Sequence, residues 1–112
     1  MLFRSYIFYF DSAGAKIPKE IMYLVDNIHE QGLRLKRRPI KFRFYENYPL
    51  EHQYGNTECG MYSLFFIITM LTGQTEGRRF KSYYEKIRFF KNKRIPDKYI
   101  QRYRKIYFNT II

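Results

Sequence analysis

Cys59 is the only cysteine of the chain, and it stands where a helix should begin. Gly55-Asn56 before it is a turn signal. After it, Met61 to Leu71 is apolar almost all round and is closed by Gly73, which predicts a buried helix with a glycine stop. A thiol at the first turn of such a helix sits near the positive end of its dipole, beside amides with no partner inside the helix. Both favour thiolate, the form in which sulfur is a nucleophile. Gly60, with no side chain, leaves the backbone open to a substrate. On position alone the commoner fate of a lone cysteine, a small buried hydrophobe, is still the better reading.

Three more residues bear on the chemistry. Gln53 lies six positions before Cys59, in the stretch that leads to it. Asp11 closes the apolar run Leu2 to Phe10, at the lip of a predicted strand, where side chains project into the crevice above a sheet. Asp11-Ser12-Ala13-Gly14 also reads as an ordinary turn, and the residues alone favour that reading. His52 adjoins Gln53 and should point the other way in an extended segment, which puts it at the surface or behind the site rather than in the role of a base.

The string Gln53-Tyr54-Gly55-Asn56-Thr57-Glu58-Cys59-Gly60-Met61-Tyr62 closely resembles the active-site segment of the SUMO-deconjugating and adenovirus-type cysteine proteases (clan CE). Its wording is nearest to the versions carried by large DNA viruses. The resemblance implies that Cys59 is the nucleophile and that Gln53 supplies a donor to the oxyanion hole. Upstream, Tyr9-Phe10-Asp11-Ser12 is similar to the family's strand ending in an aspartate that orients the catalytic histidine, which implies that role for Asp11. Downstream, Arg94-Ile95-Pro96-Asp97-Lys98 leading to Arg104-Lys105-Ile106-Tyr107-Phe108 is similar to the closing segment of the viral members. The family's histidine precedes its aspartate by about a strand and a turn and is usually followed by tryptophan. Here there is no tryptophan, and the first histidine is His29. The chain thus resembles the C-terminal part of such a protease, without the segment that carries the general base.

The elements that must position these residues are legible by pattern. Leu2 to Phe10 predicts a strand covered on both faces. Pro18 opens a helix to about Gln31, with Ile21, Leu24, Val25 and Ile28 on one face, Gly32 as its stop and His29 in its last turn. Ile40-Lys41-Phe42-Arg43-Phe44-Tyr45 alternates as a strand with one buried face and ends at Asn47-Tyr48-Pro49. Everything after Gly73 reads as helical, with one stripe at Phe80, Tyr83, Tyr84, Ile87 and Phe90. A second stripe runs through Tyr99, Ile100, Tyr103, Ile106 and Tyr107, and Asn92-Lys93-Arg94 connects the two. The order strand, helix, strand, loop, helix brings Asp11 and Cys59 to one sheet edge. The expected fold is α+β: a small central sheet packed by helices, a papain-like or adenain-like cysteine protease core, N-terminally truncated.

Composition sets the outer bounds. The 112 residues suit one domain spanning 1–112, and the 12 Tyr and 11 Phe predict a core built from rings. One cysteine makes no internal disulfide, and with two scattered histidines it lacks the ligand set of a structural zinc site. An intracellular setting is expected, or a virion or cytoplasmic viral factory if the chain is viral, with no membrane span and no signal-peptide layout. The net charge is +11, and 18 of the 21 Lys and Arg fall within residues 34–43 and 77–112. Such density attracts DNA, another polyanion or an acidic protein face over a Debye length of roughly 8 Å. The resemblance implies a protein substrate, a viral polyprotein or a ubiquitin-like conjugate cut after a small residue such as glycine, and no metal or organic cofactor. The reading from a different class is a catalytically silent fragment that binds nucleic acid or a ubiquitin-like modifier.

Overall fold

The computed structural model describes residues 3–108. Strand β1 (Phe3–Tyr9) pairs in parallel with β2 (Ile40–Glu46), in a register that sets Phe3 opposite Ile40 and Tyr9 opposite Glu46. Parallel neighbours need a crossover, supplied here by helix α1 (Lys19–Leu33). Leu2, expected to begin the first strand, lies outside the described residues.

Helix α2 (Cys59–Thr72) ends at Gly73, whose amide donates to the Thr69 carbonyl at 2.8 Å. The second half is less uniformly helical than its pattern predicts. A short antiparallel ribbon, β3 (Gln74–Thr75) with β4 (Arg78–Arg79), turns through Glu76-Gly77 before α3 (Tyr83–Lys91). Gly77 was the signal for it, with a φ of 82° that suits glycine at a turn. The second apolar stripe is split into α4 (Asp97–Gln101) and α5 (Tyr103–Tyr107).

One core joins the sheet to the helices. Met61, Tyr62 and Phe65 of α2 pack with Phe90, Ile95, Ile100 and Tyr103. From β1 and the residue after it, Phe8 and Phe10 reach this cluster. The Phe10 and Phe66 rings stack at 4.6 Å between centroids, and Phe90 meets both edge-on. Such aromatic pairs add about 0.5–1.5 kcal/mol each beyond burial. The stack fixes the end of β1 against the middle of α2, and so fixes Asp11 relative to the helix that begins at Cys59.

Two expectations for α1 need correction. Its face toward the sheet is formed by Met22, Val25 and His29, which line a narrow cavity with Ile7, Phe42 and Phe44, whereas Ile21, Leu24 and Ile28 are exposed. Helical periodicity identifies an apolar stripe, but a two-stranded sheet is too narrow to cover all of it. Gly32 lies inside the last turn instead of stopping the helix. A Cβ there would come within 2.8 Å of the Ile40 carbonyl and the Phe42 ring, so glycine serves the close approach of helix to strand.

Candidate active site

The chain leaving β1 and the chain approaching α2 are bound to one another by polar groups. Asn47, fully buried after β2, accepts from the Asp11 amide at 2.9 Å and donates to the Asp11 carbonyl at 2.6 Å, gripping both ends of that residue's backbone. The Ser12 carbonyl accepts from the amides of His52 and Gln53, at 2.9 and 2.8 Å. Gly14 makes this approach feasible: it has a φ of 78°, and a Cβ would meet the Leu50 carbonyl at 2.8 Å.

Gln53 is buried, and its side-chain oxygen accepts from the Ser12 hydroxyl at 2.7 Å. That bond defines the amide's orientation: the oxygen is taken, and the NH₂ group is left to donate elsewhere. Asp11 folds its carboxylate back onto its own turn, accepting from the amides of Ala13 and Ala15 at 3.0 and 3.2 Å. The turn reading of this residue therefore holds. A carboxylate has about four acceptor sites, so these two bonds leave room for a further donor.

Cys59 is the first residue of α2 and is exposed, so the buried-hydrophobe reading is excluded. The first hydrogen bond of the helix runs from the Tyr62 amide to the Glu58 carbonyl at 2.9 Å, and the amides of Cys59 and Gly60 precede it. A Cβ on Gly60 would meet nothing within 4 Å, so the surface beside the thiol is open. Cys59 makes no hydrogen bond to Asp11 or Gln53 among the described residues. The structure holds Asp11 and Gln53 on one clamped loop pair and sets Cys59 on the next element.

His52 is fully buried. Its Nδ1 accepts from the Ile95 amide at 2.8 Å, so its Nε2 carries the proton and donates to the Phe90 carbonyl at 2.6 Å. Desolvation depresses its basicity; the bond to Phe90 opposes this, and nearby Arg94 adds to it. His52 is therefore not at the surface: it ties the segment before Gln53 to the loop after α3. His29 lies against the opposite face of the sheet, in the α1 cavity.

Sequence analysis placed Arg94, Asp97 and Arg104 in a closing segment without a role, yet Arg94 and Asp97 hold the loop between Gln53 and Cys59. Asp97 Oδ2 accepts from the amides of Tyr54 and Gly55, at 3.1 and 3.0 Å, and Asp97 Oδ1 lies 3.1 Å from the Tyr62 hydroxyl. Arg94 pairs with Asp97 at 3.6 Å, donates to the His52 carbonyl at 2.8 Å and lies over the Tyr54 ring. Burial works to raise the Asp97 carboxyl, but the two amides, the Tyr62 hydroxyl and Arg94 outweigh it and hold the group below its ordinary value. At the helix entrance, Glu58 is buried and pairs through Oε1 with Arg104 at 3.1 Å. Its other oxygen, Oε2, is buried without a partner. The available signal was charge: Asp97 is one of two acids among twelve basic residues in 77–112.

Among the described residues, no group of three or more His, Cys, Asp or Glu is placed to hold a metal ion and no helix is long and apolar enough to cross a membrane. No protein-family model matches the chain, and no curated protein does. Solved structures do match it. The crystal structure of the ASFV pS273R protease aligns with 28% identity over 88% of this chain, at a TM-score of 0.67. Its selenomethionine form gives the same identity, coverage and score. This chain spans about a third of the length of those structures, 32% and 31%. The small α+β architecture, a short sheet packed by helices, thus resembles the fold of the ASFV protease.

Proposed function

We propose that the chain is the nucleophile-bearing part of a cysteine protease, single-domain over residues 1–112, in which Cys59 attacks, Gln53 stabilises the oxyanion and Asp11 orients a histidine supplied from outside this sequence. The observation that carries the reading is the Ser12–Gln53 bond, which occupies the oxygen of a buried amide and leaves its NH₂ to donate, on the loop that leads to an exposed cysteine at a helix start. Neither histidine of the chain is available as the base: one is locked in the core and the other lies across the sheet.

In the proposed reaction the histidine takes the thiol proton and the Cys59 thiolate adds to a peptide or isopeptide carbonyl. The negative oxygen is met by the Gln53 NH₂ and the Cys59 amide; one such donor is typically worth about 2.7–4 kcal/mol. The C–N bond breaks, the histidinium gives its proton to the leaving amine, and water hydrolyses the thioester. Asp11 keeps the tautomer without becoming the base. The open surface at Gly60 leaves room for a substrate backbone to pass the thiol, and the resemblance implies a segment ending in a small residue, as in a viral polyprotein or a ubiquitin-like conjugate.

A peptide vinyl sulfone ending in Gly-Gly tests this reading. It should modify Cys59 of the folded chain faster than of the urea-unfolded chain, and Gln53→Ala should slow that reaction while iodoacetamide labelling stays unchanged. Hydrolysis of the matching Gly-Gly coumarin amide should require added imidazole. Equal vinyl sulfone rates in folded and unfolded chains would rule the reading out. The charge of +11 would then favour the second reading, a silent module that binds nucleic acid or a modifier.

A further inference from the structure

A cavity of about 520 Å³ lies between the β3–β4 ribbon, α3 and the loop into α4, and none of Cys59, Gln53 or Asp11 lines it. This volume is in the range of small-molecule sites, roughly 300–1,000 Å³. Four cations line it, Arg78, Arg88, Lys93 and Arg94, with the rings of Phe89 and Tyr99 beside them. Two acids, Glu76 and Glu85, share the lining, and of these Glu76 is paired with a cation. Glu76 pairs with Arg102 at 2.7 Å, outside the cavity wall. Glu85 accepts from the Lys81 amide while its own amide donates to Ser82, closing the start of α3.

Of these cations, only Arg94 has an acid among the described residues, Asp97 at 3.6 Å. Arg78 is held over the Phe80 and Phe89 rings, 4.8 and 5.4 Å from their centroids, which fixes its guanidinium without neutralising it. Arg88 and Lys93 make no ion pair among the described residues. Set against the Glu85 carboxylate, these three cations leave a net excess of two positive charges around one small cavity, which calls for more than one negative charge in a small ligand. A carboxylate brings one; a run of phosphates brings several, and its oxygens fit the guanidinium fork.

We propose that this cavity binds an oligophosphate group, such as the phosphate tail of a nucleotide. No protease activity is needed for this binding. Titration calorimetry of the 112-residue chain with inorganic tripolyphosphate, and separately with ATP, tests it. Tripolyphosphate should bind saturably at one site. Arg88→Gln and Lys93→Gln should each weaken binding about tenfold or more, and the double variant Lys16→Gln/Lys19→Gln, which removes two cations elsewhere, should not. Tighter binding of ATP would add the rings to the site, and equal binding would leave the phosphates as all that is read; both support the proposal.

Absence of saturable binding, or equal weakening by the Lys16/Lys19 variant, would overturn it. So would binding of a single-stranded oligonucleotide when neither tripolyphosphate nor ATP binds, because that assigns the charge to a diffuse surface. If a variant fails to fold, tripolyphosphate-induced amide shifts in the unsubstituted chain decide instead: shifts centred on Thr75, Arg88 and Tyr99 support the site, and shifts elsewhere remove it.

Discussion

The Ser12 hydroxyl donates to the side-chain oxygen of Gln53 across 2.7 Å, although 41 positions separate the two residues. Ser12 directly follows Asp11 at the end of β1, and Gln53 opens the loop that ends at Cys59. One hydrogen bond therefore links the strand with the candidate orienting carboxylate to the loop with the candidate oxyanion donor. Ser12→Ala should leave the fold intact at a cost of about 1–3 kcal/mol, since the buried Gln53 oxygen loses its donor. The freed amide should then slow vinyl sulfone addition to Cys59 nearly as much as Gln53→Ala does, while iodoacetamide labelling is unaffected. Equal slowing of both reagents would mean that Ser12 acts only on folding.

Asp97 should govern the order of the loop between Gln53 and Cys59. Asp97→Ala removes the acceptor of the Tyr54 and Gly55 amides, and hydrogen exchange at those two amides should accelerate well before global exchange does. The folded carboxyl lies below its ordinary value of 3.8, so its contribution to stability is full above that pH and is lost as pH falls through the lower, folded value. Loop opening in acid should accordingly begin below about pH 4 in the unsubstituted chain and be independent of pH in that range in Asp97→Asn.

His52 should make stability depend on pH nearer neutrality. Its basicity is depressed in the fold, so between the folded value and 6.5 the unfolded chain binds the extra proton and stability rises with pH. The urea midpoint should be flat above about pH 7 and fall as the solution is acidified below about 6.5. In His52→Gln the midpoint is lower throughout, because the Ile95 amide and Phe90 carbonyl lose their partners, and this part of the slope disappears. A slope unchanged in the variant would assign it to another group.

Gly60 separates stability from access. A methyl group there meets nothing within 4 Å, so Gly60→Ala should raise stability by up to about 1 kcal/mol through helix propensity. The same methyl stands beside the thiol and should hinder the peptide probe several-fold more than iodoacetamide. Equal rates for both reagents would remove the idea that a substrate backbone passes over Gly60.

The sequence by itself determined the main elements up to Gly73 and marked Cys59 as a candidate nucleophile. The apolar run to Gly73, the alternation from Ile40 to Tyr45 and the Pro18 helix are local patterns, and each formed where its periodicity placed it. The turn character of Asp11 was also local, since its carboxylate bonds to amides two and four residues on. Only tertiary structure decided which apolar residues were covered, because the stripe on α1 is wider than the two strands it faces. Likewise, only the fold joined Ser12 to Gln53, Asn47 to Asp11 and Asp97 to the Tyr54–Gly55 amides. Those bonds span 36 to 43 positions, and a single serine, asparagine or aspartate carries no pattern that announces a distant partner. Hydrophobic periodicity repeats along the chain and can be read from it; a lone polar contact is fixed only when the core has brought its two ends together.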